Sequence, residues 1–243
     1  MEKNKSISTD YITCSMEELV RNYGKIVTAL CRRMIRNPED AEEAAQEVWI
    51  QVMKSLGSFK GESKFTTWLY TLTRRTVHRY LNREKVYSTA FLREFFHSHE
   101  EKGMQELEEI PVEDRSSWMK LQCDACLTGI LHCLDNEARL IYLFRTLTRL
   151  EYQDLSVIFD RPETAIRQIF SRSCRKVNAF LNDECLLYNP QGSCRCKMRD
   201  PIKYLENQGE YQKVRDLAGK MFFLQKADIY LNNLNFWEKH LSN

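Results

Sequence analysis

From Leu19 to Tyr80 the apolar residues recur every three or four positions, and breaks in that rhythm coincide with helix start and stop signals. Ser15-Met16-Glu17-Glu18 has the spacing of a capping box, in which a hydroxyl and a carboxylate satisfy the orphan amides of a helix start. Leu19, Tyr23, Ile26, Val27, Leu30 and Met34 follow on one face. Asn37-Pro38-Glu39-Asp40 restarts the pattern with a cap, a first-turn proline and acids at the positive end of the dipole. Ala41, Ala44, Ala45, Val48, Val52 and Leu56 form its stripe, and Gly57 ends it. After the polar loop Ser58–Lys64, a third helix carries Phe65, Trp68, Leu69, Leu72, Thr76 and Tyr80 on a shared face. Only 8 Gly and 5 Pro stand in 243 residues, which disfavours a turn-rich β fold. The chain reads as all-α.

From Val86 to Ser117 the periodicity weakens and acids dominate, so this stretch reads as an acidic linker with one short helix around Ala90–Ser98. Helical pattern returns at Trp118 with Leu121, Leu127, Ile130, Leu131 and Leu134, and Asp135 caps a helix through Leu147. Two further helices, Glu151–Phe159 and Thr164–Leu181, flank the tight link Asp160–Glu163. They have the proportions of a helix-turn-helix, with Leu155, Ile158, Phe159, Ile166, Ile169, Phe170 and Val177 as its internal face. Beyond Asn182 come a cysteine-bearing loop to Met198 and helical stretches near Tyr204–Met221 and Phe222–Leu241. No apolar run reaches the ~20 residues of a membrane span, and Met1–Asp10 has no apolar signal core, so a cytoplasmic chain is expected.

The net charge of +2 conceals strong segregation. Lys60, Lys64, Arg74, Arg75, Arg79, Arg83 and Lys85 outnumber Glu62 and Glu84, and Arg161, Arg167, Arg172, Arg175 and Lys176 face only Glu163. Two separated basic patches suit a polyanion that touches two domains; solvated helix faces are the plain alternative. Gly-rich phosphate loops, Gly-x-Ser-x-Gly and His-Glu-x-x-His are missing, and the five histidines are scattered, with His97 and His99 read as solvated. A binding protein rather than an enzyme is expected.

Glu42-Glu43-Ala44-Ala45-Gln46-Glu47-Val48-Trp49, followed by Phe65-Thr66-Thr67-Trp68-Leu69-Tyr70-Thr71-Leu72-Thr73-Arg74-Arg75, resembles region two of bacterial RNA polymerase sigma factors. The helix-turn-helix resembles their region four, and the short linker between is similar to the extracytoplasmic-function group, which lacks region three. The resemblance covers roughly residues 15–182 and implies four segments. These are region two (11–85), the linker (86–117), region four (118–182) and a Cys-containing helical extension (183–243).

It implies that Glu43, Gln46 and Glu47 meet core RNA polymerase, whose largest-subunit clamp and flap are the expected contacts. Phe59, Lys60, Lys64, Arg74, Arg75 and Arg79 would engage the melted −10 element, where a flipped base needs a pocket and stacking. Thr164, Arg167, Gln168, Ser171, Arg172 and Arg175 would read the −35 duplex. An anti-sigma protein is a further implied partner. Arg75 and Arg79 stand where the family usually has Asn and Asp, and Asp160 replaces the usual turn Gly, a position Asp tolerates in the left-handed region. A helix-turn-helix regulator acting without polymerase, or a metal- or redox-sensing protein-binding module, are the alternatives.

Nine cysteines without a secretion signal argue against a disulfide framework. Cys123 and Cys126 share a helical stripe with Leu127 and Ile130 and read as core thiols, as do Cys14, Cys31 and Cys174. Cys185, Cys194 and Cys196 lie in a turn-rich loop, where a Cys-x-Cys pair presents two thiolates to one ion such as zinc or another thiophilic metal. Arg195 is expected to lower their pKa, and Cys174 or His240 to complete the set; a redox-sensitive trio or inert thiols are the other readings. The apolar tail from Tyr211 to Trp237 must bury itself on the sigma domains, on itself or on a partner.

Overall fold

Ser15 opens the first helix as its spacing predicts: its hydroxyl accepts the Glu18 amide at 3.2 Å while the Glu18 carboxylate accepts the Ser15 amide at 2.8 Å. The structure is a computed structural model and describes residues 15–81, 86–98 and 108–207. Among these residues every regular element is helical. The expected stretches Tyr204–Met221 and Phe222–Leu241 lie largely outside the described residues, as do Cys14, Arg83, Lys85, His99 and His240. No helix among the described residues is long and apolar enough to cross a membrane.

The chain divides into two compact units, residues 1–84 with 143–169 and residues 85–142 with 170–243. In the first, α1 (Met16–Met34), α2 (Pro38–Ser55) and α3 (Phe65–Leu81) pack together. Asn37 caps α2, accepting the Asp40 amide at 2.9 Å. On α1 and α2 the core is the stripe that periodicity predicts, with Leu19, Val27, Leu30 and Met34 against Ala41, Ala44, Val48 and Val52. Helix α3 adds the expected Phe65 and Leu69 together with Val77, which lies off the expected face, while Trp68, Leu72 and Tyr80 are only partly buried. The alanines of α2 let the helices approach closely, and each large buried apolar side chain contributes about 1.5–3 kcal/mol. The end of α6 (Asn136–Leu147) adds Phe144, whose ring lies 5.5 Å from Tyr70 and 5.9 Å from Phe159.

The short helix α7 (Tyr152–Phe159) packs on α3 and leads into α8 (Glu163–Glu184). Asp160 adopts the left-handed conformation at φ 52°, ψ 51°, so the turn forms with Asp in place of Gly. The Arg161 amide reaches back to the Ser156 carbonyl at 3.1 Å, and the Ser156 hydroxyl donates to the Arg161 carbonyl at 2.6 Å.

In the second unit the short helix expected around Ala90–Ser98 forms, and the helix expected from Trp118 starts earlier, at Val112. The described part of 86–117 holds α4 (Thr89–Ser98) and the start of α5 (Val112–Leu131). Leu92, Phe95 and Phe96 of α4 are buried, and Phe96 packs 5.9 Å from Phe180. Burial of three large apolar side chains on one face outweighs the acids beside them. Ser88 caps α4, and Asp135 caps α6 as its position predicts. A small apolar cluster of Leu186, Leu187, Met198 and Ile202 joins the loop after α8 to α9 (Arg199–Asn207).

Candidate nucleic-acid and polymerase surfaces

The acidic face of α2 carries Glu43, Gln46 and Glu47 one turn apart, the first two exposed. Glu47 accepts Gln51 at 2.7 Å and Arg79 at 3.2 Å, and these two hydrogen bonds hold its carboxyl below the usual range. Glu43 stands beside the Tyr80 hydroxyl, whose pKa is raised first by burial and then by that carboxylate. Arg79 of α3 therefore faces the acidic helix in addition to lying on the basic stretch.

The loop 58–64 is held by aromatics. Phe59 stacks on Trp68 with centroids 4.9 Å apart and meets Phe65 edge-on at 6.2 Å, while Tyr23 backs Phe65 at 5.5 Å. Gly61 turns the loop at φ 71°, a value that suits glycine. Lys60 and Arg75 are exposed and make no ion pair among the described residues. Lys64 and Arg74 already have partners in this unit. Lys64 reaches Asp154 of α7 at 2.9 Å, and Asp154 also accepts the Thr67 hydroxyl at 3.1 Å. Arg74 donates to the Ile158 carbonyl at 3.1 Å, with its guanidinium 5.0 Å from the centre of the Phe159 ring. Sequence reasoning missed Asp154, because its partner lies 90 residues away.

Along α8, Thr164, Arg167, Gln168, Ser171, Arg172 and Arg175 are all exposed, while Ile166, Ser173 and Val177 are buried. The helix thus presents the expected residues on its solvent side. Arg167 is preorganised: Glu163 accepts its guanidinium, which also lies 4.1 Å from the centre of the Tyr152 ring.

The loop cysteines lie in a different setting from the one expected. Cys185 is pushed up to about 12 by burial, and Cys194 is raised by its hydrogen bond to Cys196 and by burial, so Arg195 does not activate them as thiolates. Cys31 and Cys174 are likewise raised by burial, consistent with core thiols.

His97, read as solvated, is instead bonded to Glu184 at 2.7 Å. That buried carboxylate also accepts Arg93 at 2.7 Å and Ser193 at 2.9 Å. Burial alone would raise the Glu184 pKa, but the bonds from His97 and Ser193 and the charges of His97 and Arg93 leave it lowered. A lowered folded-state value means the stabilisation is present above the ordinary Glu value of about 4.3 and is lost as pH falls through the folded value. Urea unfolding between about pH 6 and pH 3 therefore shows acid destabilisation that Glu184→Gln reduces; an unchanged pH slope in that variant refutes the assignment.

Residues 19–86 match the family model described as Sigma-70 region 2. The chain is 26% identical over 168 residues to the RNA polymerase sigma-H factor of Pseudomonas aeruginosa, covering 67% of this chain and 84% of that one. It is 26% identical over 158 residues to the ECF RNA polymerase sigma-E factor of Haemophilus influenzae, covering 64% and 81%. The solved structure of CnrH in complex with the cytosolic domain of CnrY shares the fold at TM-score 0.50 and 12% identity, covering 72% of this chain and 95% of that one. The chain therefore carries a sigma-70 region 2 domain. Its homologues are RNA polymerase sigma factors of the extracytoplasmic-function type, a non-enzymatic class that acts in transcription initiation.

Proposed function

We propose that this protein binds core RNA polymerase in the cytoplasm and directs it to promoters, with residues 11–85 and 118–182 as its two DNA-binding segments. One observation carries the reading: a region 2 match is followed in the same chain by a helix-turn-helix whose exposed face holds Arg167, Gln168, Ser171, Arg172 and Arg175. Arg and Gln suit guanine and adenine edges, and the remaining bases suit phosphates, giving a −35 duplex contact.

Phe59, Lys60, Lys64, Arg74, Arg75 and Arg79 supply the −10 contact, where aromatic stacking and cations offset the cost of unstacking a base. The face of Glu43, Gln46 and Glu47 meets the polymerase clamp, and the segment 118–182 meets its flap. An acidic protein-facing helix keeps phosphate away from that side. An anti-sigma protein is the further partner, and it competes for these surfaces.

Run-off transcription on genomic fragments with purified core polymerase tests this. Specific starts appear only when the protein is added, and Glu43→Ala with Glu47→Ala abolishes them while duplex binding persists. Replacing Arg172 with Ala lowers the salt slope of duplex binding by about one. Tight duplex binding with no specific start would identify a regulator that works without polymerase.

A further inference from the structure

Three consecutive helices bring charged and aromatic side chains together beside the start of α8. Arg145 lies in the last turn of α6, Tyr152 opens α7, and Glu163 and Arg167 occupy the first turns of α8. The Arg145 guanidinium lies over the Tyr152 ring, 4.8 Å from its centre, and donates to the carbonyls of Leu150 at 3.0 Å and Arg149 at 3.4 Å. Arg149 has φ 56°, a left-handed value uncommon for a residue with a side chain, so the link that presents Tyr152 bends sharply and Arg145 fastens it. Arg167 lies over the same ring at 4.1 Å. One carboxylate oxygen of Glu163 accepts both Nε and Nη2 of Arg167. The Arg167 and Glu163 side chains are 56% and 42% exposed, and an exposed ion pair of this kind adds little to stability. What the arrangement contributes is direction.

We propose that Tyr152 and Glu163 are positioning residues that aim Arg167 at a guanine, and so set the base preference at one position of the −35 duplex contact. The inference rests on the duplex-reading role of α8. A guanidinium has five N–H groups in a fixed planar fork. Glu163 takes the Nε–H and the neighbouring N–H of Nη2, which closes one edge of the fork. The remaining N–H of Nη2 and those of Nη1 point along the end, away from Glu163. Guanine offers N7 and O6 as adjacent acceptors on its major-groove edge, whereas adenine sets an N6 donor beside its N7. Two parallel donors held in a fixed direction therefore favour guanine over adenine. A mobile arginine would instead drop to the nearest phosphate, a contact without sequence information. The Tyr152 ring supports the guanidinium, and Arg145 holds the segment that carries the ring. Glu163 also places a negative charge beside the duplex, so it gains discrimination at the expense of overall affinity.

The test uses the full chain and a pool of duplexes with a randomised central segment, followed by anisotropy on the selected duplex and its single-base variants. The wild type selects a guanine whose preference over adenine falls about tenfold or more in Arg167→Ala. Tyr152→Leu lowers the preference at that base about two- to fivefold and leaves the other positions and the salt slope unchanged. Tyr152→Phe keeps the wild-type preference, because the ring survives. Glu163→Ala moves affinity and discrimination in opposite directions: every duplex binds more tightly, while the guanine preference weakens. A folding defect would instead weaken all duplexes together, and this surface variant serves if Tyr152→Leu does not fold. Full guanine preference in both Tyr152→Leu and Glu163→Ala overturns the proposal while leaving Arg167 as a reader. Equal losses in Tyr152→Phe and Tyr152→Leu also overturn it, since they assign the effect to the hydroxyl. A base preference indifferent to Arg167→Ala removes the duplex-reading role of Arg167 itself, and the proposal with it.

Discussion

Phe65→Ala destabilises the protein by about 3–5 kcal/mol, the range for emptying a large aromatic site in a core. Phe65 is 7% exposed and opens α3, where it touches Tyr23, Phe59 and Trp68 at ring separations of 5.5, 6.2 and 5.6 Å. Those three side chains belong to three different places: α1, the loop before α3, and the next turn of α3 itself. Helix starts and loop ends relax little when such a junction is emptied, so the cavity persists. For a unit of about a hundred residues this lowers the unfolding midpoint by more than 10 °C on an order-of-magnitude basis. Phe59→Ala separates stability from function. Its ring is only half-buried, so its removal costs about 1 kcal/mol, while the lost stacking surface weakens single-stranded −10 DNA by about 1–3 kcal/mol. Denaturant unfolding followed by tryptophan fluorescence, beside single-strand binding, measures both. Equal stability losses in the two variants would refute the assignment of Phe65 as the junction.

That contrast marks what the sequence makes legible. Helix existence and caps are local matters, so Ser15, Asn37, Asp135 and the left-handed Asp160 could be read from spacing and side-chain chemistry alone. The exposed row on α8 follows from its period. In the acidic stretch the short helix is legible from sequence, but charge density signals solvation and hides how fully Leu92, Phe95 and Phe96 bury one face of it. His97 looked solvated since its partner, Glu184, comes from the end of a helix 87 residues on. In each case the missing information is a long-range pairing, which periodicity does not encode.

Asp154 gives the second large effect, and its sign differs between stability and DNA binding. Its side chain is 12% exposed and accepts Lys64 at 2.9 Å and Thr67 at 3.1 Å, whereas Lys64 is 48% exposed. Asp154→Ala leaves the buried Thr67 hydroxyl without this acceptor, and the unit loses about 2–3 kcal/mol. Lys64, by contrast, regains water at little cost. If Lys64 contacts promoter phosphate, Asp154 and DNA compete for the same ammonium group. Asp154→Asn, which keeps the volume and removes the charge, then strengthens single-stranded −10 DNA binding several-fold at low salt while lowering the unfolding midpoint. Lys64→Gln weakens that binding and also destabilises, since it leaves a nearly buried carboxylate with one partner fewer. The gain in Asp154→Asn fades as salt rises, because screening reduces what one freed cation contributes. Fluorescence anisotropy across a salt series, read beside urea unfolding of the same preparations, separates the two effects. Weaker DNA binding by Asp154→Asn at every salt concentration would remove Lys64 from the promoter contact and leave the Lys64–Asp154 pair a purely structural link between α3 and α7.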